Sequence, residues 1–125
     1  MTRQRRMILD VIRESDRHMT AEEIYIEAKK RMPSVAMATI YNNLKILTEQ
    51  GVIRRLQFAG MPDHYDRNMV YHEHLICESC RNVTDAEMGD LLPVLEQRLG
   101  IHITQYSLSM FYICDACRRA HAEKD

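Results

Sequence analysis

The sequence predicts an α+β (α/β) chain in two parts, a winged helix-turn-helix followed by a small zinc-stapled α/β domain. Three observations predict it. Residues 1–66 hold three helical segments and then short strands around a Gly/Pro turn. All four cysteines fall in two C-x-x-C pairs, Cys77/Cys80 and Cys114/Cys117. A helix-like and then a strand-like segment separate those pairs.

The chain has 125 residues, enough for one ordinary domain or two small ones. Two small cores are each weakly stable alone, and metal or dimerisation commonly helps at that size. No apolar run is long enough to span a membrane. The basic start "MTRQRRMILD" is followed by Arg13, so no signal-peptide apolar core forms and a cytoplasmic protein is expected. Net charge is −1, with +2 over residues 1–66 and −3 over 67–125. The front half is thus the better candidate for a polyanion partner, although so small a bias needs a motif beside it.

The front half supplies the elements in order. "RRMILDVIRES" sets Met7, Ile8, Val11 and Ile12 at helical spacing. Thr20 with Glu23 forms a capping box, Ile24, Tyr25 and Ala28 make the apolar stripe, and Pro33 stops the helix. "AMATIYNNLKILTEQG" carries Met37, Ile40, Leu44 and Leu47 on one face, with Gly51 just past its end. "VIRRLQF" and "HYDR" read as strands around a turn at Gly60 and Pro62.

The opposite face of the third helix carries Ala38, Asn42, Lys45 and Glu49, with Thr39 and Tyr41 at its flanks. Such groups suit a major-groove helix: Asn bonds adenine bidentately, and Lys reaches phosphate or guanine. Thr39, Tyr41, Asn42 and Lys45 are the candidate DNA contacts. The competing reading is a plain helical subdomain with a solvated polar face, since helix-turn-helix patterns are weak signals.

In the back half, two C-x-x-C knuckles complete a tetrahedral zinc site with no position open to water, so the metal is structural. The 33 residues between Cys80 and Cys114 exceed the gap of a simple ribbon and call for a folded element. "MGDLLPVLEQRLG" reads as a helix with Pro93 in its first turn, and "IHITQYSLSMFYI" as a strand. Free buried thiols and a redox dithiol are the alternatives, the latter lacking a spare resolving Cys.

The cysteines leave "YHEH" unexplained. His72 and His74 alternate, so in a strand they share a face. Asp66 and Asp85 lie close enough in sequence to join them, and His18 precedes the capping box. Imidazoles with carboxylates suit Fe(II) or Mn(II). By spacing alone His18 reads as a surface residue rather than a ligand.

At this point the sequence resembles the ferric uptake regulator family of metal-dependent repressors. The resemblance rests on "TRQRRMIL", "TAEEIY", "ATIYNNLKILTEQGVI", "HYD", "HEHLICESC", "VTD" and "CDAC", in that order along nearly the whole chain. Within the family the chain is most similar to the peroxide-responsive branch, because "TIYNNL" is typical of it and Asp85 stands where iron sensors usually carry Glu. The resemblance implies structural Zn2+ on Cys77, Cys80, Cys114 and Cys117. It implies regulatory Fe2+ or Mn2+ on His18, Asp66, His72, His74 and Asp85, with His18 and His72 as the oxidation-sensing residues. It further implies a homodimer on palindromic double-stranded operator DNA. The expected organisation is a winged-helix DNA-binding domain over residues 1–66, a hinge over 67–73, and a dimerisation and metal-binding domain over 74–125. The implied function is a repressor that leaves its operator when hydrogen peroxide oxidises a ligand histidine. An iron- or zinc-availability sensor of the same family is the alternative.

Departures from the family pattern carry expectations of their own. The chain starts at the T-x-Q-R stretch, and the helix that usually precedes it is expected to be lacking, with altered affinity or site preference. Ala36 replaces the usual Ser at the start of the recognition helix and forfeits a cap worth about 1 kcal/mol. A further metal site of some iron regulators is expected to be absent, since its positions hold Tyr71, Glu73, Leu92 and Ile113. Outside this class, a zinc hydrolase would need H-E-x-x-H, but Ile76 occupies the second His position. A deaminase would need H-x-E ahead of P-C-x-x-C, but Glu73 adjoins His72 directly and no Pro precedes Cys77. A zinc-stapled interaction module would leave "TIYNNLK" without a use. His64 beside the wing is a candidate phosphate contact, while His102 and His121 read as structural or exposed.

Overall fold

The computed structural model describes residues 2–67 and 73–124. The chain divides into two compact units, residues 1–71 and 72–125. The hinge expected over 67–73 falls mostly outside the described residues.

The first unit runs α1 (Arg3–Glu14), β1 (Met19–Thr20), α2 (Ala21–Arg31), α3 (Met37–Glu49), β2 (Arg54–Leu56) and β3 (His64–Asp66). Helix α1 buries Ile8, Leu9, Val11 and Ile12 along one stripe, and Thr2 caps it by accepting from the Arg5 N–H. Helix α2 begins on the Thr20/Glu23 box, with both reciprocal bonds made. Lys29, Lys30 and Arg31 complement the dipole of its last turn, which closes ahead of Pro33. Helix α3 turns Ile40, Leu44 and Leu47 inward, while Ala36 gives it no side-chain cap. Its far end closes through Gly51 at φ +71°, with Val52 N–H donating to Leu47 O at 3.0 Å and Gly51 N–H to Thr48 O at 3.1 Å. Ile8, Ile24, Ile40, Leu44, Leu47, Val35 and Ile53 are at most 2% exposed and form the core. Each such side chain contributes about 1.5–3 kcal/mol by leaving water.

The wing is a three-stranded antiparallel sheet ordered β1-β3-β2. The sequence suggests a hairpin only. Strand β1 joins because its pairing with β3 buries Met19 against the helical core.

The second unit runs β4 (Glu73–Cys77), β5 (Val83–Ala86), α4 (Leu92–Leu99), β6 (Ser109–Tyr112) and α5 (Asp115–Lys124). Its sheet is ordered β5-β4-β6, with β4 antiparallel to β5 and parallel to β6. Pro93 lies in the first turn of α4, where its missing N–H is harmless. The strand expected across "IHITQYSLSMFYI" is confined to its last part. After Gly100 ends α4, residues 101–108 carry no strand, and His102 instead bonds Glu96 at 3.0 Å. Among described residues, the buried apolar side chains of this unit are Ile76, Cys77 and Val83, and α4 buries none. Val94, Leu99, Ile101 and Phe111 are each more than half exposed. So small a core needs reinforcement from a metal or a partner.

Candidate metal centres and nucleic-acid face

Parallel pairing of β4 with β6 sets Cys77 level with Tyr112 and thus carries the second knuckle to the first. Cys77 ends β4, Cys80 lies in the turn before β5, Cys114 precedes α5, and Cys117 sits in its first turn. Arg81 takes a left-handed φ of 68° to close the knuckle, its N–H donating to Cys77 O at 2.9 Å. The four Sγ atoms all lie within 4.8 Å of one another. Cys77 to Cys117 is 3.7 Å and Cys80 to Cys114 is 3.9 Å, far beyond a disulfide bond. A tetrahedron with metal–sulfur bonds of about 2.3 Å has edges of about 3.8 Å. The thiols therefore fit a structural zinc without rearrangement.

Electrostatics point the same way. Backbone N–H groups of Cys114 and Cys80 donate to Cys77 Sγ at 3.5 and 3.4 Å and favour its thiolate, bringing its pKa to about 6. Four clustered thiols cannot all ionise without a cation. Although a hydrogen bond with Ser79 lowers Cys117, its bond with Cys114, burial, and its bonds with Cys77 and Cys80 push it up to about 12.

Two histidine–aspartate pairs arise from strand register, one in each unit. In the first, β1 pairs with β3 as Met19 with Tyr65. One step further sets His18 opposite Asp66, with Nδ1 and Oδ1 3.6 Å apart and both residues buried. In the second, His74 of β4 faces Asp85 of β5, with Nε2 and Oδ1 3.7 Å apart. Two donors each about 2.1 Å from one ion stand about 3–4 Å apart. Each pair is thus spaced as two ligands of one ion, and its nitrogen and oxygen donors fit a regulatory divalent metal such as Fe2+ or Mn2+. His72 lies outside the described residues.

Glu73 makes a contact within the second unit. Its carboxylate is buried and accepts from the Tyr106 hydroxyl at 2.9 Å, while that oxygen accepts from Leu91 N–H at 3.3 Å. Glu73 is thereby used as a strap between β4 and the start of α4. No motif announced this contact, which joins residues 33 apart.

On α3, Tyr41, Asn42 and Lys45 are exposed and Thr39 is half-buried. Tyr41, Asn42 and Lys45 line one wall of a groove of about 540 Å³, with Arg55, Asp63 and Tyr65 of the wing on the other. His64 is a correction. It is only 3% exposed, bonds Pro62 O through Nδ1 at 2.9 Å, and packs edge-on to Phe58, so it offers nothing to phosphate. Burial lowers its pKa. His121 is exposed on α5, and His102 is exposed beside Glu96.

The family model of the Ferric uptake regulator family matches residues 1–111. The chain belongs to that family. Peroxide-responsive repressor PerR of Staphylococcus aureus (strain USA300) is 31% identical over 123 residues, covering 94% of this chain and 82% of that protein. The structure of the Campylobacter jejuni peroxide stress regulator has a TM-score of 0.70 at 29% identity, covering 91% of this chain and 88% of that one. A zinc-bound manganese uptake regulator reaches a TM-score of 0.82 at 24% identity, covering 91% and 89%, and shows the fold. The protein is accordingly a ferric uptake regulator family metalloregulator, of a family of transcriptional regulators rather than enzymes, whose repressors bind operator DNA as dimers. No helix among the described residues is long and apolar enough to cross a membrane.

Proposed function

We propose that this chain is a homodimeric, metal-dependent repressor that senses hydrogen peroxide. One Fe2+ or Mn2+ per subunit is held by His18, Asp66, His72, His74 and Asp85. The observation that carries the reading is the His74–Asp85 pair: the carboxylate beside the ligand histidine is Asp, as in the peroxide-responsive branch, not Glu. The 31% identity to a peroxide-responsive repressor supports it.

The residues divide the work. His18 and Asp66 come from the unit that carries α3, and His74 and Asp85 from the other. Ligands shared between units would fix the spacing of two recognition helices in a dimer, which palindromic half-sites require. Thr39, Tyr41, Asn42 and Lys45 present α3 to the operator. By linkage, DNA and metal each strengthen the other's binding. Fe2+, when bound, would relay electrons from a ligand imidazole to hydrogen peroxide and return to its own oxidation state; Mn2+ would supply little of this chemistry. The ring of His18 or His72 then gains one oxygen at carbon, the second peroxide oxygen leaves as water, and the ring's two-electron loss balances the reduction. The oxidised ring is a poor ligand, so the metal is lost and the operator is released.

Gel shifts on promoter DNA test this. Iron-loaded protein should bind and then dissociate on peroxide addition, while manganese-loaded protein stays bound. Loss of binding on metal depletion with no effect of peroxide in the iron form would favour an iron-availability sensor.

A further inference from the structure

The second asparagine of "TIYNNL" is not on the groove-facing stripe of α3. Asn43 is 7% exposed, and both ends of its amide are used. Nδ2 donates to Thr39 O at 2.8 Å, and Oδ1 accepts from Arg5 Nε at 3.2 Å. The latter bond crosses from α1 to α3 and joins residues 38 apart. It secures Arg5 by its inner nitrogen and leaves Nη1 and Nη2 without a partner among the described residues. A guanidinium held this way presents a planar fork matched to phosphate.

The surroundings of Arg5 favour an anion. The first turn of α1 carries Arg3, Arg5 and Arg6 and no acid. Cations at this end oppose the helix dipole, so the cluster does not serve the helix itself. Position matters as much as charge. At 3.6 residues per turn, Ala38, Asn42, Lys45 and Glu49 form the central exposed stripe of α3. Thr39 and Asn43 lie on one flank of that stripe, and Tyr41 and Thr48 on the other. The second flank faces the wing groove, where Arg55 pairs with Asp63 at 3.7 Å. A helix in the major groove has a phosphate backbone along each side. Arg55 stands on one side of the stripe and Arg5 on the other.

We propose that Arg5 binds a DNA phosphate on the flank opposite the wing, and that Asn43 is the positioning residue that aims it. This rests on the DNA-binding reading above. It assigns the two asparagines different duties: Asn42 faces the groove, and Asn43 acts through Arg5.

The test is the salt dependence of DNA binding by the full, manganese-loaded protein, followed by fluorescence anisotropy. Its own promoter duplex and a random-sequence duplex serve as probes. Arg5→Gln keeps a donor for Asn43 but loses the charge. It should flatten the slope of log K against log salt by about one per subunit on both duplexes, the signature of one lost phosphate contact. Arg5→Lys should retain the slope. Asn43→Ala should flatten it as Arg5→Gln does, and the double variant should lose nothing further. A wild-type slope in Arg5→Gln overturns the inference and leaves the DNA-binding reading standing. A flattened slope in Arg5→Gln with a wild-type slope in folded Asn43→Ala overturns the positioning role. Should Asn43→Ala not fold, a wild-type melting temperature in Arg5→Gln with its flattened slope decides for the phosphate contact. Failure of the wild-type protein to bind either duplex overturns both.

Discussion

Asp85 stands directly across the β4–β5 ladder from His74, with its Oδ1 3.7 Å from the ring's Nε2. Antiparallel register sets this distance, so the length of the side chain decides where the carboxylate falls. A Glu here would move it by about one C–C bond, about 1.5 Å. Asp85→Glu should still bind promoter DNA when metal-loaded, yet lose most of its peroxide response. Gel shifts with graded peroxide check this; an unchanged peroxide midpoint would remove Asp85 from the account.

The four sulfurs are already spaced as a tetrahedron's edges, while the unit around them has a very small core. Structural zinc supplies on the order of 10 kcal/mol of folding free energy in comparably small domains. Cys114→Ser should therefore abolish zinc retention and cooperative unfolding of the second unit. Zinc content by mass spectrometry and thermal melts check it.

Tyr106 donates through its hydroxyl to the buried carboxylate of Glu73 at 2.9 Å. Its replacement by Phe removes that bond and leaves a buried charge under-solvated, costing about 1–3 kcal/mol. Tyr106→Phe should lower denaturant stability by that amount without changing zinc content. A neutral effect would show that the strap between β4 and α4 is dispensable.

Helix α3 starts at Ala36 without a side-chain cap. Ala36→Ser supplies an oxygen for a first-turn N–H and should stabilise the protein by about 0.5–2 kcal/mol. A denaturant midpoint shifted upward, with the slope unchanged, is the expected readout.

Much of this was legible because it is local. The Thr20/Glu23 box, the Gly51 closure and the two C-x-x-C pairs each act within a few residues. What depends on pairing was not. Strands β1 and β5 have two and four residues, too few for a period to register. His18 and Asp66 meet only through that two-residue strand, so spacing alone left His18 a surface residue and the family resemblance had to supply it. His64 was misplaced for a similar reason: its turn looks exposed in sequence, but Phe58 and Pro62 enclose the ring. The loose alternation of residues 101–108 suits an irregular segment as well as a strand, and Gly100 lets the chain turn there.

The most direct measurement is peptide mass spectrometry after brief peroxide treatment of protein loaded with iron or with manganese. Iron-loaded protein should gain one oxygen on a peptide containing His18 or His72, and manganese-loaded protein should gain none there. Equal oxidation in both forms, or oxidation confined to methionines while DNA is still released, would contradict sensing at a ligand histidine.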